Sequence, residues 1–94
     1  AAEFFKVAAD AGIVTAMYNL ALYYEKGMGV EVNLEESLKY YRMAADGGDS
    51  DAMYALSRFL REGLGCTPDP TEATLFLHMA ADAGQPDALK CLSQ

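Results

Sequence analysis

The chain repeats itself every 36 residues without a slip in register. Ala-Ala recurs at 8–9, 44–45 and 80–81, and Gly12, Gly48 and Gly84 keep the same step, as do Ala16, Ala52 and Ala88, and Leu20, Leu56 and Leu92. Residues 13–48 and 49–84 are identical at twelve positions, most of them small or apolar residues that would share a core. A period between 20 and 50 residues means that one unit cannot bury its own apolar face, and that stacked neighbours must do it. The 94 residues then divide into a half repeat (1–12), two repeats (13–48 and 49–84) and a closing half repeat (85–94).

Each repeat reads as two helices. Ala16, Met17, Leu20, Ala21 and Tyr24 fall on one side at 100° per residue, which is the pattern of an amphipathic helix. Gly27 and Gly63 stand where that first helix should stop, because glycine enters the left-handed region without a Cβ penalty. After a loop, Asn33 with Glu36 reads as a capping box, and Asp69-Pro70 in the next copy places proline in the first helical turn. The second helix carries Ser37, Tyr40, Tyr41, Ala44 and Ala45 on one face, matched by Ala73, Phe76, Leu77, Ala80 and Ala81, with Gly48 and Gly84 as stops. Paired alanines let a neighbouring helix approach closely, and the aromatic residues one turn earlier fill the wider gap. No segment alternates with period two over a useful length. The expected fold is all-α: an α/α solenoid of about six helices, with antiparallel pairs wound into a right-handed superhelix.

Composition removes several functions. Seven Lys and Arg against fourteen Asp and Glu give a net charge of −7, and phosphate backbones repel such a chain, so nucleic acid is not an expected partner. The longest apolar run, Leu20 to Tyr24, is far short of the roughly 20 residues a bilayer span needs, so membrane insertion is not expected. The opening residues do not read as a signal peptide, with no basic leader ahead of an apolar stretch. Cys66 and Cys91 fit neither a disulfide framework nor a common zinc spacing.

These positions resemble the Sel-one-like repeat family, a relative of the tetratricopeptide repeats with slightly longer units. The resemblance is carried by Ala16, Leu20, Ala21, Tyr24, Gly27, Gly29, Val30, Asn33, Ser37, Tyr40, Tyr41, Ala44, Ala45 and Gly48. The next copy carries it with Ala52, Leu56, Gly63, Gly65, Asp69, Ala73, Phe76, Leu77, Ala80, Ala81 and Gly84. Departures are Ala21 and Ser57 in place of glycine, Leu60 in place of tyrosine and Cys66 in place of valine, all adjustments of volume. The resemblance implies a non-enzymatic adaptor that holds protein or peptide partners along the helical array.

Catalytic chemistry finds little to stand on. His78 is the only histidine, it aligns with Lys6 and Arg42, and it lies off the apolar stripe, so it reads as a solvated residue. Without a nucleophile at helical spacing from it, no triad can be argued. Asp10, Asp46 and Asp82 recur opposite the core stripe and read as helix-end carboxylates; Glu35, Glu36, Asp49 and Asp51 suit the positive end of a helix dipole. Gly27-Met28-Gly29 lacks the remainder of a phosphate loop. No catalytic residue, cofactor or metal is expected, nor a Cys66–Cys91 disulfide.

The informative positions are those on the first helices that point away from the core yet are not all polar. With Ala16 at 0°, Thr15, Tyr18, Asn19 and Leu22 fall at roughly 200–300°, outside the core arc. Asp51, Tyr54, Ala55 and Arg58 occupy the same places in the second copy, and Asp87, Lys90, Cys91 and Gln94 in the third. In tetratricopeptide-type stacks the first helices line the concave groove, so the resemblance makes this face the expected partner surface. Tyrosine, leucine and arginine are types that anchor interfaces. Two readings of Tyr18 and Tyr54 stay open, groove binding and packing against the next repeat, and the acidic balance favours a basic or mixed partner segment. A structural spacer that binds nothing is the alternative function, and a ligand pocket or hydrolase the remote one. Phe4, Phe5, Leu89 and Leu92 put core-type residues at the two ends. The chain is therefore expected to be a segment of a longer array whose ends associate head to tail.

Overall fold

The computed structural model describes residues 2–93; Ala1, the first residue of the opening half repeat, and Gln94, expected on the first-helix face, lie outside the described residues. Six helices follow one another: α1 (Ala2–Asp10), α2 (Val14–Lys26), α3 (Leu34–Asp46), α4 (Ser50–Glu62), α5 (Pro70–Asp82) and α6 (Pro86–Leu92), with no strand among the described residues. Each helix packs chiefly on its sequence neighbours, which gives an α/α solenoid of 38 × 24 × 17 Å. First helices are α2, α4 and α6, and second helices are α1, α3 and α5.

The helices start and stop where the local chemistry dictates. Gly27 and Gly63 cap α2 and α4 at φ 70° and 73°. Asn33, Asp49, Asp69 and Gln85 cap the four later helices, each accepting the backbone N–H three residues on. The expected capping box at Asn33 is only half made. Its own N–H does not wait for Glu36 but donates to the carbonyl of Tyr24 at 2.9 Å, and Asp69 N–H donates likewise to Leu60 at 2.8 Å. These bonds satisfy an orphan carbonyl at the end of one helix with a donor at the start of the next, so the connection inside each repeat is pinned at both ends. The second helices end two residues before Gly48 and Gly84, whose φ of 96° and 88° turns the chain toward the following first helix.

The core is a row of small and large residues in alternation. Ala44, Ala52, Ala80 and Ala88 are fully buried, as are Leu20, Leu56, Tyr41 and Phe59. Where the paired helices cross, Ser37 on α3 donates its hydroxyl to the carbonyl of Ala21 on α2 at 2.7 Å. In the second repeat the serine has changed sides, with Ser57 on α4 and Ala73 on α5, and Ser57 donates to the carbonyl of Tyr54 at 2.7 Å. One serine and one alanine per crossing keep the volume constant, and both buried hydroxyls are satisfied.

The loops hold a contrast between equivalent glycines. Gly29 and Gly65 share a left-handed backbone, φ 76° and 70°. A Cβ on Gly29 would meet nothing, whereas on Gly65 it would lie 2.6 Å from the carbonyl oxygen of Leu34, in the first turn of the preceding second helix. Gly65→Ala should therefore cost about 3 kcal/mol or more, and Gly29→Ala only the backbone strain of about 1 kcal/mol. Equal shifts of the urea midpoint in the two variants would show that this loop-to-helix approach contributes nothing.

Candidate functional site

The first-helix face is built around one polar joint. Glu25, in the last turn of α2, accepts the hydroxyl of Tyr41 from α3 at 2.7 Å on one carboxylate oxygen and the guanidinium of Arg58 from α4 at 2.9 Å on the other. The side chains of Glu25 and Arg58 retain 16% and 32% of their exposure, so the pair is screened from much of the water that weakens surface bridges. Tyr41 is wholly buried, its ring edge-on to Phe59 at 5.2 Å and tilted against Tyr18 at 5.7 Å. Burial pushes the Tyr41 phenol far above the ordinary tyrosine range, and the hydrogen bond and charge of Glu25 push it further.

The expected face residues are placed as follows. Tyr18, Asn19, Leu22, Tyr54 and Arg58 are half-buried, Thr15, Asp51, Asp87, Lys90 and Cys91 are exposed, and Ala55, expected to point outward, is instead buried in the core. Tyr18, Leu22 and Tyr54 all pack against the core with one side. Tyr18 leans on Tyr41 of its own repeat's second helix, and Tyr54 reaches toward α6, its hydroxyl 4.0 Å from the sulfur of Cys91. Burial raises the Tyr18 phenol, and the carboxylates of Asp51 and Asp49 raise it further; for Tyr54 burial again leads, followed by Cys91 and Asp87. Arg58 is engaged within the chain by Glu25, so its charge is compensated there. Asp51 accepts the side-chain amide of Gln85 at 3.2 Å, which ties α6 to α4.

Sequence reasoning missed Glu25 and Tyr41 as a unit. Their partner Arg58 lies 33 residues on, and the next copy has Arg61 and Leu77 in place of Glu25 and Tyr41, so the repeat pattern carries no trace of the network. Both cysteines are free thiols, with Cys66 directed at the carbonyl of Phe59 at 3.8 Å and Cys91 exposed. His78 is exposed on α5, and Asp10, Asp46 and Asp82 are the exposed last residues of α1, α3 and α5. A crevice of about 100 Å³ between α4 and α5 is lined by Ser57, Arg61, Pro70, Ala73, Thr74 and Leu77. Both of its hydroxyls are spent as donors on backbone carbonyls, and no histidine or carboxylate lines it.

The Sel1 repeat family model matches residues 14–49 and 50–85. The chain belongs to the Sel1 repeat family. Such repeats commonly serve as protein–protein interaction scaffolds and are generally non-enzymatic. Among solved structures, the Sel1 repeat protein from Oxalobacter formigenes is 33% identical with a TM-score of 0.90, over 93% of this chain and 36% of that one. The protective antigen c5321 of uropathogenic Escherichia coli, which displays the same fold, is 26% identical with a TM-score of 0.90, over 93% of this chain and 19% of its own. Cysteine-rich protein B of Helicobacter pylori shares the fold at 22% identity and a TM-score of 0.90, over 96% of this chain and 68% of that one. The chain thus spans about a third and a fifth of the first two. No curated protein matches it. None of the described helices is long and apolar enough to cross a membrane.

The joint sets two expectations. Glu25→Ala should destabilise by about 3 kcal/mol, because it strands the Arg58 charge and the Tyr41 hydroxyl. Tyr41→Phe should cost about 1–3 kcal/mol at neutral pH and also change the alkaline limb. The native phenol keeps its proton where the unfolded one, near 10.0, releases it, so native Tyr41 contributes its full stability below pH 10 and loses it as pH rises further. Removing it should make the alkaline fall shallower by up to about 1.4 kcal/mol per pH unit, read from urea titrations between pH 8 and 11.

Proposed function

We propose that the chain binds a protein segment along the outward face of α2, α4 and α6, and that it acts as an adaptor rather than an enzyme. The observation that carries this reading is the row formed by Tyr18, Leu22 and Tyr54. Each side chain is fixed against the core on one side and open to water on the other, on helices locked together by the Glu25–Arg58 and Asp51–Gln85 contacts. A rigid, half-buried aromatic loses little entropy when a partner covers it. Thr15, Asn19, Asp51, Arg58, Asp87 and Lys90 supply the polar surround, with Arg58 acting chiefly by holding the helices in place.

Peptides selected from a random display library against the protein test the reading. Tyr18→Ala and Tyr54→Ala should each weaken the selected peptides by about 1–2 kcal/mol, while Leu75→Ala, exposed on α5, should leave them unchanged. Binding that is indifferent to both tyrosines would favour a structural spacer.

A second reading concerns self-association, and exposed apolar residues at the two ends favour it. Phe4 and Val7 on α1 are 73% and 71% exposed, and Leu89 and Leu92 on α6 are 49% and 40% exposed, although the equivalents of Leu92 are fully buried at Leu20 and Leu56. A second copy presenting α1 to α6 would complete the missing helix pair, a contact that propagates instead of closing. Sedimentation should show mass rising with concentration toward the millimolar range, and Phe4→Glu with Leu89→Glu should abolish the rise. A strict monomer throughout would remove this reading.

A further inference from the structure

The crevice between α4 and α5 lies where the first repeat carries an aromatic ring of its own. Its lining residues Arg61, Pro70, Thr74 and Leu77 align with Glu25, Leu34, Leu38 and Tyr41. In the first repeat the three larger side chains fill this wall: Tyr41 is wholly buried, and Leu34 and Leu38 pack against the core. Pro70, Thr74 and Leu77 are each smaller, and a space of about 100 Å³ is left beside them. Pockets for drug-sized ligands enclose roughly 300–1,000 Å³, so this one takes a single side chain. The charge of the wall is reversed as well. The Tyr41 hydroxyl ends on the Glu25 carboxylate at 2.7 Å, whereas Arg61 holds the aligned position and is the one charged residue lining the crevice among the described residues. Arg61 enters neither of the two ion pairs among the described residues, and none of their carboxylates lies within 4.0 Å of it.

The first repeat also shows how such a wall is covered. Two adjacent residues of α4 do it: Phe59 sets its ring edge-on to Tyr41 at 5.2 Å, and Arg58 gives its guanidinium to Glu25 at 2.9 Å. One charged and one aromatic side chain, neighbours on a single helix, thus reach both poles of the wall. In the second repeat the acidic pole has become basic and the aromatic pole has shrunk to leucine. We propose that the α4–α5 crevice docks a helix of a partner protein that presents a Glu-Phe or Asp-Phe pair, with the ring against Leu77 and Ala73 and the carboxylate on Arg61. A guanidinium meets a carboxylate through two parallel N–H donors, and a ring seated in a slot of one side chain fixes the register of the helix that carries it. Tyr18, Leu22 and Tyr54 do not line the crevice, so this site goes beyond the face proposed above and does not rest on it.

The test uses amidated Ala- and Gln-based peptides of ~16 residues, long enough to hold a helix, with one Glu-Phe pair at the centre. Binding is read from the backbone amide shifts of Ala73, Thr74 and Leu77 in heteronuclear NMR titrations of the full chain. The Glu-Phe peptide should shift them saturably and bind on the order of tenfold more tightly than the same peptide with Lys-Phe or Glu-Ala. The chain's net charge of −7 favours the Lys peptide at long range, so the opposite preference isolates the local effect of Arg61. Arg61→Gln should remove that preference. Leu77→Tyr returns the first repeat's ring to the wall and should weaken the Glu-Phe peptide on the order of tenfold. Thr74→Leu, at an exposed position, narrows the same space and should weaken it on the order of fivefold, which keeps the test decisive if Leu77→Tyr fails to fold. Equal affinity for the Glu-Phe and Lys-Phe peptides, binding indifferent to the crevice-filling variants, or no saturable shift at millimolar peptide would overturn the proposal. Shifts of the same amides on diluting the protein alone would put a second copy in the crevice, and would overturn it equally.

Discussion

Tyr41 joins three helices, and the stack depends on its being buried and satisfied at once. Its ring fills the space between α2, α3 and α4, against Tyr18 and Phe59, while its hydroxyl finds Glu25 at the edge of the same space. A phenylalanine there would pack as well but would leave Glu25 with one partner, and a smaller residue would open a cavity at the contact between repeats. Because Glu25 also holds Arg58, a single carboxylate sets how α2 lies against both α3 and α4. Polar networks of this kind specify an arrangement when every member is satisfied, and no buried side-chain polar atom among the described residues lacks a partner.

The second repeat keeps the fold while changing the chemistry of that joint. Arg61 replaces Glu25 and Leu77 replaces Tyr41, so a wall that carries a half-buried acid in one copy carries an exposed base in the next. The small residues at the helix crossings, Ala21 with Ser37 and Ser57 with Ala73, conserve volume and do not record this change. A solenoid tolerates such divergence because each repeat answers only to its neighbours. The same freedom lets the outward face differ from copy to copy, with Tyr18, Tyr54 and Lys90 at one repeat position. Partner choice in such an array is written in the residues that the repeat does not constrain.

The helix boundaries, the left-handed stops at Gly27 and Gly63 and the caps at Asn33 and Asp69 could all be read in advance, because each is decided within a few residues of chain. The core could be read as well, since stacking forces its residues to recur every 36 positions. The face was legible only as a set of helical phases. Helical phase put Tyr18 and Arg58 outside the core arc, yet both are half-buried, because Tyr41 of α3 lies against the Tyr18 ring and Glu25 of α2 takes the Arg58 guanidinium. The difference between Gly29 and Gly65 was invisible for the same reason: their local conformations agree, and only the approach of the Leu34 carbonyl separates them.

The sequence by itself determined the repeat, the helix pair within it, the buried small-and-large row and the family, because periodic burial leaves a periodic trace. Tertiary structure alone decided that Glu25, Tyr41 and Arg58 form one joint, that Arg58 is consequently engaged within the chain, and that Tyr54 reaches toward Cys91 on α6. Those outcomes depend on distances between residues about 16 to 37 positions apart on different helices. Charge pairing is non-local and has no required period, so the register of one helix against the next decides it.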